Sequence, residues 1–166
     1  MIKPAPPSLA IDARSGWPPE LRVLIEQYPR EVWEEHVNLG QIARFWLDIH
    51  NAFRAHGRSL ERSALEFREG RLTPERFRSA FAPRLQTFLN HLNGHHQIED
   101  FQFFPIFGEA EPRLMPGFDV LENDHEVIHH VMDRMAETAN AFMQVDATDR
   151  DAMLRAGENY VDAGEA

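Results

Sequence analysis

Apolar residues recur at helical spacing along most of this chain. Residues 30–69 contain no proline, and apolar positions repeat there every three or four residues, which predicts a long helix with weak points at Gly40 and Gly57 and a bend near Asn38-Leu39-Gly40. The central stripe of that helix consists of Trp46, His50, Phe53, Gly57 and Leu60. Gly70 follows the last periodic position, where a helix commonly ends in a glycine with a left-handed backbone.

A second helix is predicted to begin at Pro74, because Thr73 is a favourable N-cap and proline is favoured at the first helical position. Its apolar side carries Phe77, Phe81, Leu85, Phe88 and Leu92. Pro105 and Gly108 are expected to end this helix, and residues 109–117 form a connection rich in proline and acidic residues.

A third helix is predicted after that connection, ending near Phe142, and a fourth begins at Thr148-Asp-Arg-Asp151, which resembles a capping box. Four helical segments without a strand pattern predict an all-α fold, an up-and-down four-helix bundle. The fourth helix has a start signal but no stop signal before Ala166, so we expect it to be short or truncated.

Prolines dominate the N-terminus, at Pro4, Pro6, Pro7, Pro18 and Pro19. They exclude a long helix over residues 1–19, which we interpret as an irregular arm. Pro19 is expected to open a short helix that closes before Pro29. We therefore predict an N-terminal arm plus short helix over residues 1–30 and a helical bundle over residues 31–166.

Composition narrows the class of function. The net charge of −10 argues against a nucleic-acid partner, since no basic surplus is available to neutralise phosphates. No apolar run approaches the length of a membrane span, and the N-terminus lacks the apolar core of a secretory signal, so the expected location is cytoplasmic. The chain has no cysteine but nine histidines, and this excess of imidazole points to metal chemistry.

The histidines concentrate in two places. His91, His95 and Glu99 are spaced by four residues and share one face of the second helix, and His125 and His129 have the same spacing on the third. His50 lies on the apolar stripe of the first long helix. The alternative is a polar helix face near the surface, with His50 as a hydrogen-bonded core residue.

Distances from the predicted turns bring these groups to one level of an antiparallel bundle. His50 and His95 both lie ~30 Å from the turn at residues 70–73, at 1.5 Å per residue. Glu99 and His125 lie at similar distances from the ends of the connection over residues 109–117. The predicted metal ligands are therefore His50, His95, Glu99, His125 and His129, with His91 in a supporting role and His96 and His130 exposed.

Five or more candidate ligands exceed the four of a closed zinc site, and a mixed set of imidazole and carboxylate without sulfur suits iron or manganese. The residues also resemble a known family, the hemerythrins and related HHE cation-binding domains. The matching motifs are His50, His95-xxx-Glu99 running into Phe104-Pro105, and His125-xxx-His129. The resemblance covers roughly residues 40–166.

The resemblance implies a four-helix bundle around a non-haem di-iron centre with an oxo or hydroxo bridge. Glu99 would bridge the two metals and the histidines would be terminal ligands. The family's fourth helix supplies a further histidine and carboxylate, and here the sequence departs, because no histidine follows His130 and only Asp162 and Glu165 lie at a suitable position. We expect either a truncated fourth helix, which we favour, or an incomplete site.

The function we predict is a di-iron protein that binds or senses dioxygen or a related small molecule such as nitric oxide, with manganese and zinc as alternative metals. Other readings are a di-iron oxidase or peroxidase, an iron storage or regulatory protein, and a metal-free interaction domain. Oxidases typically carry Glu-xx-His on two helices, and only Glu122-xx-His125 is present here, so binding is favoured over catalysis. Homo-oligomer formation stays open.

Overall fold

The structure is a computed structural model that describes residues 7–146 and 148–165. Its α-helices are α1 (Val23–Gln27), α2 (Gln41–Arg68), α3 (Pro74–Ile98), α4 (Phe104–Ala110), α5 (Met115–Gln144) and α6 (Arg150–Glu165). No strand occurs among the described residues, and none of their helices is long and apolar enough to cross a membrane. The all-α prediction is confirmed.

Contacts between residues divide the chain into two units. The first comprises the described part of Met1–Asn51 together with His95–Val127, and the second comprises Ala52–Gly94 together with the described part of Ile128–Ala166. The boundary that we predicted at residue 30 stays a prediction, since the two units divide after Asn51, Gly94 and Val127.

The second unit contains the predicted bundle core, to which α2, α3, α5 and α6 all contribute. Its buried residues are Leu60, Phe67, Phe77, Phe81, Leu85, Leu89, Met132, Phe142, Met153, Tyr160 and Val161. The rings of Phe67 and Phe77 stack with centroids 4.4 Å apart across the turn between α2 and α3. Four helices therefore bury their apolar faces against one another, as the periodicity predicted.

The turn between α2 and α3 has the predicted chemistry. Gly70 adopts a left-handed φ of 72°, and its N–H donates to the Phe67 carbonyl oxygen at 2.9 Å. The Thr73 hydroxyl oxygen accepts from the Arg76 N–H at 3.3 Å and so caps α3. A short turn of this kind makes the two helices neighbours in the second unit.

Gly157 in α6 allows Phe67 to pack against the helix backbone. A Cβ at this position would lie 2.4 Å from the Phe67 ring. We expect Gly157→Ala to lower the free energy of unfolding by ~1–3 kcal/mol, because the ring must leave its packed position. Gly57→Ala is the matched control: nothing lies within 4 Å of its Cβ, so it should raise stability by up to ~1 kcal/mol. Urea denaturation of both variants measures the difference, and equal effects would contradict this packing argument.

In the first unit, the prediction of one helix over residues 30–69 was wrong at its start. Residues Arg30–Val32 form a short 3-10 turn, and α2 begins only at Gln41. The Asn38 N–H bonds to Nδ1 of His36 at 3.2 Å, which gives the backbone a local alternative to helical pairing. Gly40 then favours a boundary over helix continuation.

The helix after His95 does not stop at Pro105. Residues Glu99–Phe103 form a π-helical turn, in which the Phe104 N–H donates to the Glu99 carbonyl oxygen, and α4 continues directly to Ala110. Proline has no N–H for the usual bond four residues back, and its ring would clash with that carbonyl group. The wider π-turn accommodates both defects.

The N-cap of α6 is one residue later than predicted. The Asp149 carboxylate accepts from the Ala152 N–H at 2.9 Å, while Thr148 donates to Asp146. α6 spans 16 residues, against 28, 25 and 30 for α2, α3 and α5. The side chain of Glu165, which we had considered as a ligand, lies outside the described residues.

Candidate metal centre

Four elements of the first unit bring imidazole and carboxylate groups together. α2 supplies His50, the end of α3 supplies His95, the π-turn supplies Glu99 and Asp100, and α5 supplies His125. Nitrogen or oxygen atoms of His50, His95 and Glu99 all lie within 4.8 Å of one another, a spacing suited to one metal ion.

Three atoms form the tightest part of the cluster. Nε2 of His50 lies 3.2 Å from Nε2 of His95, and Oε1 of Glu99 lies 3.6 Å and 3.4 Å from these two nitrogens. The point equidistant from three atoms with these separations is about 2.0 Å from each, within the bond lengths that nitrogen and oxygen make to a first-row metal such as zinc. The donor atoms therefore fit a first-row metal cation without rearrangement.

The second oxygen of Glu99 faces a different histidine. Oε2 lies 3.6 Å from Nε2 of His125, on the other side of the carboxylate from His50 and His95. Glu99 thus presents one oxygen to a pair of histidines and its other oxygen to a third histidine. A carboxylate in this position can hold two cations, one at each oxygen.

The hydrogen bonds of two histidines fix which nitrogen is available to a metal. Nδ1 of His50 lies 2.7 Å from the Trp46 carbonyl oxygen, which only accepts, so this nitrogen carries the proton. Nδ1 of His125 lies 2.7 Å from Oδ1 of Asp100 and donates in the same way. In both rings the lone pair is therefore on Nε2, the atom that faces Glu99.

Burial shifts the pKa values of Glu99 and His95 in directions that favour the binding of a cation. Burial raises the pKa of Glu99 to about 7, and the neighbouring Asp100 adds to this shift. Burial, with smaller contributions from His50 and His125, lowers the pKa of His95 to about 4. His95 is consequently neutral and able to donate a lone pair at pH 7, and a bound cation would stabilise the ionised form of Glu99.

His96 was predicted to be exposed, and this was wrong. The residue is only 4% exposed, and its ring stacks on that of His125 with centroids 3.9 Å apart. Phe104 lies near the His125 ring as well, with centroids 5.9 Å apart. Both rings restrict the orientation of His125. His130 is exposed, as predicted, and His91, to which we had assigned a supporting role, is exposed as well.

His129 and Asp162 belong to the second unit. His129 lines a surface pocket there together with Asn90, Asn93 and Asp133. Asp162 accepts from the Arg68 guanidinium at 2.7 Å. The assignment of His129 as a metal ligand stays a prediction, and the ion pair with Arg68 gives Asp162 a role in the second unit.

Asp100 is the residue that the sequence pattern missed. It directly follows Glu99 in the chain, and the π-turn directs it toward His125. The signal in the sequence is Pro105, because a proline following a helical run calls for a local distortion.

We expect Asp100→Ala to weaken metal binding by roughly 10- to 100-fold, since His125 would lose the partner that fixes its proton and its orientation. Metal titrations with a competing chelator measure the change. Asp48→Ala, which removes an exposed carboxylate from α2 in the same unit, is the control and should bind metal like the wild type. Equal affinities for wild type and Asp100→Ala would contradict this role for Asp100.

Comparison with known proteins agrees with this arrangement. The family model for the hemerythrin HHE cation-binding domain matches residues 41–163, about three quarters of the chain. Searches of curated proteins and of solved structures gave no match. With its cluster of histidines and a carboxylate, the chain therefore belongs to the hemerythrin HHE cation-binding domain family and is a metal-binding helical domain.

Proposed function

We propose that this protein holds a pair of iron ions around Glu99 and binds or senses dioxygen or a related small molecule, such as nitric oxide. His50, His95 and His125 would be ligands through Nε2, Glu99 would bridge the two ions, and His129 would complete the set. Iron bound there would supply redox chemistry and a coordination position for the small molecule.

The observation that carries the proposal is the two-sided environment of Glu99. Its Oε1 faces His50 and His95, and its Oε2 faces His125, at separations of 3.4–3.6 Å. A site for a single ion would leave one of these oxygens without a cation. Imidazole and carboxylate without sulfur suit iron or manganese, and membership of the family favours iron.

An apolar pocket supports the binding of a small molecule. It has a volume of about 260 Å³ and opens on the cluster at His50 and Glu99. The rest of its lining is aromatic or aliphatic: Trp33, Leu39, Ala43, Trp46, Leu47, Phe103, Phe104 and Phe107. His50 is the most exposed residue of the cluster, with 41% of its side chain accessible against 5% for His95 and 13% for Glu99. A ligand would therefore reach the centre from the side of His50.

The chain's own residues would hold the centre and exclude competing water. Trp46 covers His95, with ring centroids 4.7 Å apart, and Phe103 packs edge-on against Trp46 at the same distance. These rings favour an uncharged diatomic ligand over a hydrated ion, because apolar surface does not replace the hydrogen bonds of an ion's water shell.

Aerobic purification followed by metal analysis and a visible spectrum tests the proposal. We expect about two irons per chain and absorption bands that change on deoxygenation or on addition of nitric oxide. His95→Ala should lose most of the metal, whereas His91→Ala, which changes an exposed histidine one turn earlier, should keep it. One metal per chain, or a spectrum indifferent to both gases, would contradict the proposal.

Filling the pocket should slow the approach of the ligand without removing the metal. We expect Ala43→Trp to lower the rate of nitric oxide binding severalfold, because a large ring would occupy the pocket near His50. Stopped-flow absorbance measures the rate. Ala55→Trp places the same ring on an exposed position of α2 outside the pocket and serves as the control. A loss of iron in Ala43→Trp, or an unchanged rate, would contradict this route of entry.

A further inference from the structure

Arg14 of the N-terminal arm binds α5 directly beside the predicted metal ligand His125. Arg14 makes a bidentate ion pair with Asp124 of α5, with Nη1 2.8 Å from Oδ1 and Nη2 2.5 Å from Oδ2. Only 17% of the Arg14 side chain and 7% of the Asp124 side chain are exposed. The arm precedes the region matched by the family model, so this contact involves a segment outside that region.

The arm folds around the Arg14 guanidinium. Nη1 of Arg14 also donates to the Leu9 carbonyl oxygen at 3.0 Å, and the guanidinium lies 4.9 Å from the centroid of the Trp17 ring. The N–H groups of Ala13 and Arg14 both bond to the Ala10 carbonyl oxygen at 3.0 Å. The two hydrogen bonds of this ion pair are parallel, the pair is mostly buried, and the guanidinium has further partners in the arm. It therefore differs from exposed ion pairs, which contribute little to stability.

Asp124 immediately precedes the predicted ligand His125. The two residues are held from different sides: Asp124 by Arg14 of the arm, and His125 by Asp100 of the π-turn. Without Arg14, Asp124 would be a buried anion without a compensating charge, which is strongly unfavourable. Its carboxylate would turn toward water or another positive group, and the turn of α5 that carries Asp124 and His125 would shift with it.

We propose that Arg14 is a positioning residue for the metal centre. It binds both oxygens of Asp124 and so fixes the turn of α5 that presents His125 to Glu99. This rests on the proposed role of His125 as a metal ligand. The arm then stabilises the part of α5 that carries His125, and the identity of residue 14 affects the rate at which the metal dissociates.

Arg14→Met tests this role, because methionine keeps an unbranched side chain but removes the charge and the donors. We expect metal loss to a chelator to become about tenfold faster, the lower end of the range for residues that orient a ligand. The absorption bands of the bound metal should shift, which a change in overall stability alone would not cause. Arg22→Met, which breaks an exposed ion pair with Glu26 in the same unit, should retain the wild-type rate and bands.

Two further variants separate positioning from folding. Arg14→Lys keeps the charge but only one donor group, so its rate should be intermediate. Arg14→Met combined with Asp124→Asn removes the uncompensated anion and should recover most of the wild-type rate and spectrum. A double variant no better than Arg14→Met, or an Arg14→Met protein with wild-type rate and bands, would overturn the proposal.

Nuclear magnetic resonance of the metal-free protein gives an independent readout. The imidazole signals of His125, assigned with His125→Ala, should shift in Arg14→Met and not in Arg22→Met. Wild-type protein that takes up no metal would contradict the proposed function, while these signals would still report whether Arg14 positions His125. Unshifted signals would overturn the role of Arg14 by itself.

Discussion

Replacing Glu99 with glutamine is expected to reduce metal affinity by more than about 100-fold, beyond the effect of removing an outer-sphere partner. Glutamine has nearly the same shape, but it carries no charge and offers one oxygen instead of two. The oxygens of Glu99 face His50 and His95 on one side and His125 on the other, so both sides of the centre lose their anionic ligand. Metal content after aerobic purification and a chelator competition measure the loss.

Glu109→Gln is the matched control, because it makes the same chemical change at an exposed residue of α4 in the same unit. It should retain wild-type metal content. Circular dichroism should show that Glu99→Gln keeps its helices, since the metal-free protein buries a neutral amide at lower cost than a carboxylate. A Glu99→Gln protein that retains two metals per chain would contradict the bridging role that we propose for Glu99.

Phe77→Ala is expected to lower the free energy of unfolding by ~3–5 kcal/mol, a large part of the stability of a domain. Phe77 is 1% exposed, and its ring stacks on Phe67 of α2 and lies 5.9 Å from that of Phe142 on α5 and 6.3 Å from that of Tyr160 on α6. Removing it leaves a cavity that all four helices line. Urea denaturation of the metal-free protein measures the change.

Phe101→Ala is the control for this cavity. Phe101 is an exposed phenylalanine, so its removal should change stability by less than about 0.5 kcal/mol. Comparable losses in Phe77→Ala and Phe101→Ala would show that the aromatic cluster of the second unit does not provide the main stabilisation.

Much of the helical architecture was predictable from local patterns. The turn at Gly70 and the N-cap at Thr73 follow from backbone preferences of single residues, and the core positions Phe77, Phe81 and Leu85 follow from a period of 3.6. The start of α2 at Gln41 did not follow, because residues 30–40 also carry apolar side chains, and local hydrogen bonds compete there with the helix.

The candidate site was predictable to a similar degree and for a related reason. Helical spacing places His95 and Glu99 on one face, and equal distances from a turn bring His50 to the same level. Spacing did not give the orientation of Asp100 and wrongly placed His96 at the surface, because their orientations depend on the π-turn and on the ring of His125.

The sequence by itself determined which elements form and which residues could serve as ligands, since helix periodicity and capping are local properties. Only the tertiary structure decided which oxygen of Glu99 faces which histidine, which nitrogen of His50 and His125 holds the proton, and that Arg14 reaches Asp124. Those features depend on side chains far apart in the chain meeting at hydrogen-bond distance. Such contacts are determined by how the helices pack, because small shifts in close packing change which side chains touch. The spacing of residues along one helix does not determine them.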